Sequence, residues 1–231
     1  MKKLLTLMMV VMVSLTSFAQ KDVTKFLGIP VDGTVAAMKQ KLMAKGFRQS
    51  PYYENQLEGT FNWAEVYVNL MGNNGKIWRV SVGDKNLTDE TNVRIRFNNL
   101  VHQFSKNNKY VAVSDVESYI IPDDTNISFE MSVHRKRFEA DFFQVPSDSM
   151  TVNAALNSLM KTYTIEQFNN PTPEQKEDMD RIIGEATQEV FEKHLVWFMI
   201  NENYGKYSVM IHYENGYNTS VRDNNLSLKA L

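Results

Sequence analysis

Alternating apolar and polar positions along residues 65–83 predict an antiparallel hairpin. The side chains expected on its buried face are Val66, Val68, Leu70, Trp78, Val80 and Val82. Residues that face each other across an antiparallel pair point to the same side of the sheet. A two-residue loop would set Leu70 against Arg79, so the pattern favours a three-residue loop over residues 73–75. The expected pairs are then Leu70 with Trp78, Val68 with Val80 and Val66 with Val82.

The same alternation over residues 195–213 predicts a hairpin near the end of the chain. Its expected buried side chains are Leu195, Trp197, Met199, Tyr207, Val209, Ile211 and Tyr213. A three-residue loop over residues 203–205 would pair Met199 with Val209, Trp197 with Ile211 and Leu195 with Tyr213. Both loops read Asn-x-Gly-Lys, and each closes a run of strands that follows a helix. This repeat predicts two αβββ-like halves, with convergent turn chemistry as the alternative.

A third alternating stretch surrounds a basic sequence. Its apolar positions are Ile127, Phe129, Met131 and Val133 before the basic residues, and Phe138, Ala140 and Phe142 after them. The pattern favours a hairpin that pairs Val133 with Phe138 and has residues 134–137 at its tip. One long kinked strand over residues 127–145 is the alternative.

Apolar residues at helical spacing predict a helix over residues 35–45 and another that starts after Thr88. Thr34 is the expected cap of the first helix, and Gly46 its left-handed end. The apolar stripe of the second helix consists of Val93, Phe97, Leu100, Val101 and Phe104. A helix that leads into an antiparallel meander indicates an α+β fold, with antiparallel meander sheets and helices packed on one face.

Residues 146–192 are interpreted as a helical insertion between two strands. Apolar spacing over residues 152–163 predicts one helix, and Thr172 with Gln175 forms a capping box that predicts the start of another at Pro173. Residues 20–231 are then a single α+β domain. Its first half covers residues 20–88, its second half covers residues 89–218 with the insertion, and a polar tail covers residues 219–231.

Residues 1–19 have the pattern of a bacterial secretory signal peptide. Lys2 and Lys3 precede an apolar run over residues 4–13, and the small residues Ser17 and Ala19 follow. The run is shorter than the roughly 20 residues that a membrane-spanning helix needs. We therefore expect export to the periplasm or the extracellular space, with no membrane span in the mature chain. The sequence has no cysteine, which excludes disulfides, thiolate metal sites and lipid attachment through cysteine.

Composition and motifs exclude several classes of function. The chain holds 25 basic and 27 acidic residues, whereas nucleic-acid-binding domains carry a basic excess. It has no metalloprotease, serine-hydrolase, phosphate-loop or dinucleotide motif. The four histidines are far apart, and the nearest acidic neighbour at possible ligand spacing is Glu192, beside His194 at a predicted helix–strand junction. The sequence therefore assigns no catalytic, cofactor-binding or metal-binding residue, and we expect no cofactor.

The candidate interaction residues are basic or aromatic. His134, Arg135, Lys136 and Arg137 would form a basic tip that suits an acidic partner or an anion, because a guanidinium binds carboxylates in two-pronged fashion. A solvated loop that guards a sheet edge is the alternative explanation. Tyr204 at a turn and Tyr217 in a loop are expected as exposed contact residues.

Several stretches resemble one group of exported bacterial proteins. They are residues 26–34 (FLGIPVDGT), residues 45–47 (KGF), residues 57–61 (LEGTF) and the closing tyrosine-rich hairpin. Together they are similar to secreted proteins found in many copies in Bacteroidales bacteria, a family without an assigned activity. The resemblance implies export and the fold, and it gives no site. The order of elements is also similar to β-lactamase-inhibitor-protein-like domains and small outer-membrane-assembly lipoproteins, although the chain lacks the cysteine of such lipoproteins.

Three classes of function follow from the sequence. The first is an exported, non-catalytic binding or protein-interaction module whose partner is a protein or a glycan. The second is a structural or assembly factor of the cell envelope. The third is a glycan hydrolase that uses paired carboxylates. The absence of a reactive motif favours the first.

Overall fold

A computed structural model describes residues 22–219. The predicted signal peptide and residues 220–231 of the predicted tail lie outside the described residues. The strands are β1 Lys25–Phe26, β2 Ile29–Pro30, β3 Arg48–Gln49, β4 Gln56–Phe61, β5 Ala64–Asn73, β6 Lys76–Asp84, β7 Tyr110–Ala112, β8 Glu139–Gln144, β9 Leu195–Asn203 and β10 Lys206–Glu214. The α-helices are α1 Val35–Met43, α2 Glu90–Lys106, α3 Ile127–Ser132, α4 Asp148–Thr162, α5 Ile165–Asn169 and α6 Pro173–Glu192, and a 3₁₀ turn covers Val116–Tyr119.

Eight of the strands form one antiparallel sheet in the order β3-β4-β5-β6-β10-β9-β8-β7, and β1 pairs separately with β2. The predicted α+β class is confirmed. The strand order is symmetric about the β6–β10 pair. On one side the successive strands β3 to β6 lie in order from the edge of the sheet to its centre, and on the other side β7 to β10 do the same. Each of these series follows a helix, α1 in the first case and α2 in the second.

One face of the sheet forms the core with α1 and α2. Helix α1 lies against β5 and β6, and α2 lies against β7, β9 and β10. The predicted stripe of α2, from Val93 to Phe104, is buried, which confirms that helix. Its cap is Asp89, whose carboxylate accepts the Asn92 N–H, and Thr88 instead bridges to Tyr207. The buried strand residues of this face are Leu57, Val66, Val68, Leu70, Ile77, Val80, Val82, Ala140, Phe142, Val196, Phe198, Ile200, Tyr207, Val209, Ile211 and Tyr213.

The predicted register of the first hairpin is wrong by two residues. Leu70 pairs with Val80, Val68 with Val82 and Val66 with Asp84. The turn is the two-residue Asn74–Gly75 loop, with φ values of 48° and 76°, a left-handed pair that suits a tight hairpin. An irregularity at Met71/Gly72 leaves Trp78 as an extra residue in β6. This β-bulge restores the apolar alternation that a two-residue turn alone would have broken.

The predicted register of the last hairpin is wrong by one residue. Its turn is also a two-residue loop, Tyr204–Gly205, with φ values of 51° and 73°. Ile200 therefore pairs with Val209, Phe198 with Ile211, and Trp197 with His212. A shift of one residue moves every side chain of a strand to the other face. As a result Val196, Phe198 and Ile200 are buried in the core, and Leu195, Trp197 and Met199 lie on the opposite face.

The predicted strand over residues 127–133 is wrong, because this segment begins with helix α3. The Asn126 side chain caps the helix by accepting the Phe129 N–H, and an Asn at this position favours a helix start. Ile127 is fully buried, whereas Phe129 and Val133 are exposed. Residues 134–137 are therefore not a hairpin tip but the turn between α3 and β8. The second strand of that prediction exists as β8, with Ala140 and Phe142 buried.

Three helices lie between β8 and β9, two strands that pair directly. Helix α4 packs along α6, and the short α5 connects them. The predicted capping box of α6 is confirmed, with Thr172 and Gln175 bonded reciprocally. A second capping box, formed by Thr164 and Gln167, starts α5, which was not predicted. We call the segment from α4 to α6, residues 148–192, the helical hairpin.

Candidate functional site: the open face of the sheet

The face of the sheet opposite α1 and α2, here called the open face, carries large and polar side chains on its central strands. Strand pairing places Tyr67, Gly83, Met210 and Met199 in one row, and Asn69, Ser81, His212, Trp197 and Asp141 in the next. Tyr67, Asn69, Trp197, Met199 and Met210 are partly exposed. Helix α6 reaches this face at the β8 margin, where Phe191 contacts Phe143. The centre of the face is therefore accessible to a partner.

An arginine held between two indoles marks the middle of the open face. The Arg79 guanidinium lies 4.2 Å from the Trp78 ring centroid and 5.7 Å from that of Trp197. It forms an ion pair of 2.6 Å with Glu214. The Trp197 Nε1–H donates to the same Glu214 oxygen at 2.7 Å. Trp78 is the extra residue of the bulge and directly precedes Arg79, whose guanidinium lies over the Trp78 indole.

The imidazole of His212 packs against one face of the Trp197 indole. The two rings are stacked, with centroids 4.1 Å apart and an interplanar angle of 27°. The His212 Nδ1 shares a hydrogen bond of 2.8 Å with the Ser81 hydroxyl. Burial lowers the pKa of His212 to about 3, and the charges of Arg79 and Arg137 act in the same direction. The imidazole is therefore neutral at neutral pH.

Asp141 on β8 pairs with Trp197 on β9. Its pKa is raised, whereas that of His212 is lowered. Burial raises the pKa of Asp141 to about 6, the Glu139 and Glu214 carboxylates add to the shift, and Arg137 opposes it. The open face therefore holds a carboxyl group that titrates near neutral pH.

The Ser81–His212 pair has the composition of a nucleophile and a base, but its geometry does not suit catalysis. Ser81 has no exposed surface and His212 is 5% exposed, so a substrate carbonyl cannot approach the hydroxyl. The pair instead fixes the imidazole under Trp197. Among residues 22–219, no group of three or more His, Asp or Glu side chains is placed to hold a metal ion.

Comparisons with protein-family models, with curated proteins and with solved structures gave no match. The likeness to secreted Bacteroidales proteins and to β-lactamase-inhibitor-like domains therefore stays a prediction.

The predicted basic residues lie on the turn that leads into β8. His134 is exposed and pairs with Glu130 at 3.1 Å, and Arg135 adopts a left-handed conformation with φ 57°. Lys136 lies over the Phe138 ring. Arg137 pairs with Glu139 at 2.9 Å and reaches the Met199 sulfur on the open face. This segment, with Phe129 and Val133 beside it, is called the basic turn below.

The two predicted tyrosines are placed differently. Tyr204 is 99% exposed at the β9–β10 turn. Tyr217 is half-buried, contacts the His194 ring edge to face at 6.2 Å, and lines a cavity of about 480 Å³ between α4 and α6. Burial raises the pKa of Tyr217, and Glu189 and Asp22 add to that shift. Tyr204 is therefore fully exposed to solvent, whereas Tyr217 forms part of the base of the helical hairpin.

Sequence reasoning missed the residues of the open face, which are Tyr67, Trp78, Arg79, Ser81, Trp197, His212 and Glu214. Strand β9 begins with six apolar residues, so alternation alone does not decide which set is buried. The length of the Tyr204–Gly205 turn sets the register of the second hairpin, whereas the register of the first also depends on the bulge at Trp78. A two-residue turn at residues 204–205 sets Trp197 against His212 directly.

Proposed function

We propose that the chain is an exported, non-catalytic binding module that receives a partner protein on the open face of its sheet. The observation that carries the proposal is the set of partly exposed side chains on neighbouring rows of the open face, Tyr67 on β5, Met210 on β10, and Met199 and Trp197 on β9. Among them, Trp197 is hydrogen-bonded to Glu214, the partner of Arg79. Tryptophan, tyrosine, methionine and arginine are the residue types enriched in protein interfaces. The Arg79 and Trp197 side chains are held in place by Glu214 before binding, which lowers the entropy cost of association.

Export is supported by the sequence pattern of residues 1–19. Among the helices described between residues 22 and 219, none is long and apolar enough to cross a bilayer. Such a chain would meet its partner in the periplasm or outside the cell.

A capture experiment tests the proposal. Residues 20–231 are immobilised and exposed to cell-envelope extract and to culture medium, and bound proteins are identified after cross-linking. The test variant, Tyr67→Ser with Met210→Glu, removes an aromatic ring and adds a charge at the centre of the open face. We expect it to lose the partner that the wild type captures, by tenfold or more.

The matched control changes the same kinds of residue elsewhere. Tyr52→Ser with Tyr53→Glu alters two exposed tyrosines on the β3–β4 loop and should capture the partner as well as the wild type. Equal capture by the open-face variant would overturn the proposal. If the captured partners are components of an envelope assembly machinery, the module is an assembly factor that acts through this face.

The carboxylates of the open face favour glycan hydrolysis as a second candidate function. Asp141, with its pKa of about 6, can hold a proton near neutral pH as a general acid does, and Glu139 lies two residues away on the same face. Release of reducing sugar from envelope polysaccharides by the wild type, and its loss in Asp141→Asn, would support this function. Equal activity in Asp141→Asn would rule out Asp141 as the acid.

A further inference from the structure

The helical hairpin has an apolar surface that the rest of the described chain does not cover. Val152, Leu156 and Met160 are exposed at intervals of one turn along α4, and Ile165, Phe168 and Ile183 are exposed on α5 and α6. Met160 and Ile165, at the α4–α5 junction, are 69% and 72% exposed. An exposed apolar stripe on a projecting pair of helices is typical of a docking surface.

The helical hairpin is also strongly acidic. Residues 148–192 contain nine acidic and three basic side chains, a net charge of −6, although the whole chain has a net charge of only −2. The acidic side chains are concentrated on α6, which starts at Pro173 and ends at Glu192. An occupant of this surface has to combine apolar side chains with positive charge. An anionic membrane surface does not meet that requirement.

The basic turn of the same chain has that combination. Phe129 in α3 and Val133 just after it are 48% and 57% exposed. Arg135 and Lys136 supply the positive charge, whereas His134 and Arg137 are paired with Glu130 and Glu139. Lys136 and Arg135 are exposed. Apolar and basic groups therefore lie side by side, as the acidic and apolar groups do on the helical hairpin.

The segments that carry the two surfaces are attached to opposite ends of strand β8. The basic turn precedes Glu139, and the helical hairpin starts just after Gln144. The six residues of β8 span roughly 17–20 Å. Both surfaces remain exposed in the single chain, so they do not cover each other within one molecule. They can meet only between two copies.

We propose that the helical hairpin of one copy docks on the basic turn of a second copy. The contact joins different surfaces of the two molecules, so each dimer keeps one free hairpin and one free basic turn. Association then continues head to tail into longer chains or closed rings. Both patches are small, so the contact is weak and needs high local concentration, and salt weakens its charged component.

Sedimentation velocity of residues 20–231 over a range of concentrations tests this proposal. We expect the average sedimentation coefficient of the wild type to rise with concentration and the rise to shrink at high salt. Arg135→Glu with Lys136→Glu, the turn variant, and Met160→Glu with Ile165→Ser, the hairpin variant, should each stay monomeric. Lys41→Glu with Lys45→Glu, an equal charge change on exposed residues at the end of α1, should associate as the wild type does.

A mixture of the turn variant and the hairpin variant is the decisive arm. Each variant keeps the surface that the other lacks, so the mixture should form one-to-one dimers and nothing larger. Since all substituted side chains are exposed, urea unfolding should show unchanged stability. A wild type that stays monomeric at every concentration would overturn the proposal, and the two surfaces would then serve different partners. Association that both variants retain, or a mixture that stays monomeric, would overturn it as well.

Discussion

The indole of Trp197 lies on the imidazole of His212, with ring centroids 4.1 Å apart, on the face of the sheet that the helices leave open. The stack joins β9 to β10 through side chains, in addition to their backbone pairing. It also connects an aromatic residue available to a partner with a buried, neutral histidine. Charge placed on that histidine should therefore disturb the open face.

The pKa shift of His212 predicts a loss of stability in mild acid. The folded-state pKa of about 3 lies below the ordinary value of 6.5, so the unfolded chain takes up a proton first. The contribution of this residue is complete above pH 6.5 and is lost as the pH falls toward 3. Between pH 7 and pH 4.5 the wild type should lose about 2 kcal/mol more unfolding free energy than His212→Asn, measured by urea denaturation. The exposed His102→Asn is the control, and parallel pH profiles for wild type and His212→Asn would contradict the prediction.

Asp141 should act in the opposite direction over a neighbouring pH range. Its folded-state pKa of about 6 lies above the ordinary value of 3.8, so the folded chain takes up a proton first. Its contribution is complete below pH 3.8 and is lost as the pH rises through 6. Asp141→Asn should therefore be more stable than the wild type by about 3 kcal/mol at pH 7.5 and equally stable at pH 3.5. The exposed Asp124→Asn should show no such difference between the two pH values.

The ion pair between Arg79 and Glu214 should contribute more than surface pairs do. The side chains are 23% and 13% exposed, and Glu214 also accepts the Trp197 N–H. A double-mutant cycle with Arg79→Ala and Glu214→Ala should give a coupling free energy of about 1–3 kcal/mol. The exposed Arg181–Glu185 pair on α6 provides a matched cycle, for which we expect coupling within experimental error. Similar values from both cycles would show that the open-face pair has no special role.

The left-handed conformation of Tyr204 should lower the stability of the folded chain. This residue has a left-handed φ of 51° at the first position of a two-residue turn, a conformation that asparagine adopts at lower cost. Because its side chain is 99% exposed, no packing is lost on substitution. Tyr204→Asn should raise the unfolding free energy by about 0.5–1 kcal/mol. Tyr53→Asn, at another exposed tyrosine, should bring no gain, and a destabilised Tyr204→Asn would contradict the argument.

Gly59 should not tolerate a side chain. A Cβ at this position of β4 would lie 2.5 Å from the Phe47 ring, and Phe47 is buried against Phe26. Gly59→Ala should lower the unfolding free energy by about 1–3 kcal/mol through overpacking. Gly184→Ala is the matched control, because its Cβ would meet open space in a helix and should stabilise the protein. A neutral Gly59→Ala would mean that the Phe47 ring can move aside.

Helices with a single apolar stripe and a polar cap could be predicted from the sequence. The stripe of α2 and the capping box of α6 show this, because spacing and cap chemistry agree there. The strand prediction for residues 127–132 is wrong because six residues with alternating apolar positions fit a strand as well as a helix. The Asn126 cap favours the helix. Both predicted hairpin registers are wrong because the turns, which contain two residues and not three, set the pairing. The first position of the Tyr204–Gly205 turn normally carries asparagine or glycine, so a tyrosine there gives no signal for a two-residue turn. The sequence also gives no signal for the extra residue at Trp78.

The open face could not be found from the sequence for the same reason. Its members are scattered over β5, β6, β8, β9 and β10, and they become neighbours only when every register is right. The predicted register of β9 differs from the observed one by a single residue. That difference is enough to assign Trp197 to the core, where the structure has Phe198. Cross-strand partners such as Ser81 and His212 are 131 residues apart in the chain.

The order of the strands also limits how this protein can recruit others. The outermost strands, Arg48–Gln49 and Tyr110–Ala112, are the shortest of the eight, while the long ones lie inside. Short edge strands offer little backbone to an incoming strand, which protects a protein against edge-to-edge aggregation. For the binding module proposed above, recognition therefore falls to side chains, and specificity can evolve by changing single residues without altering the sheet that carries them.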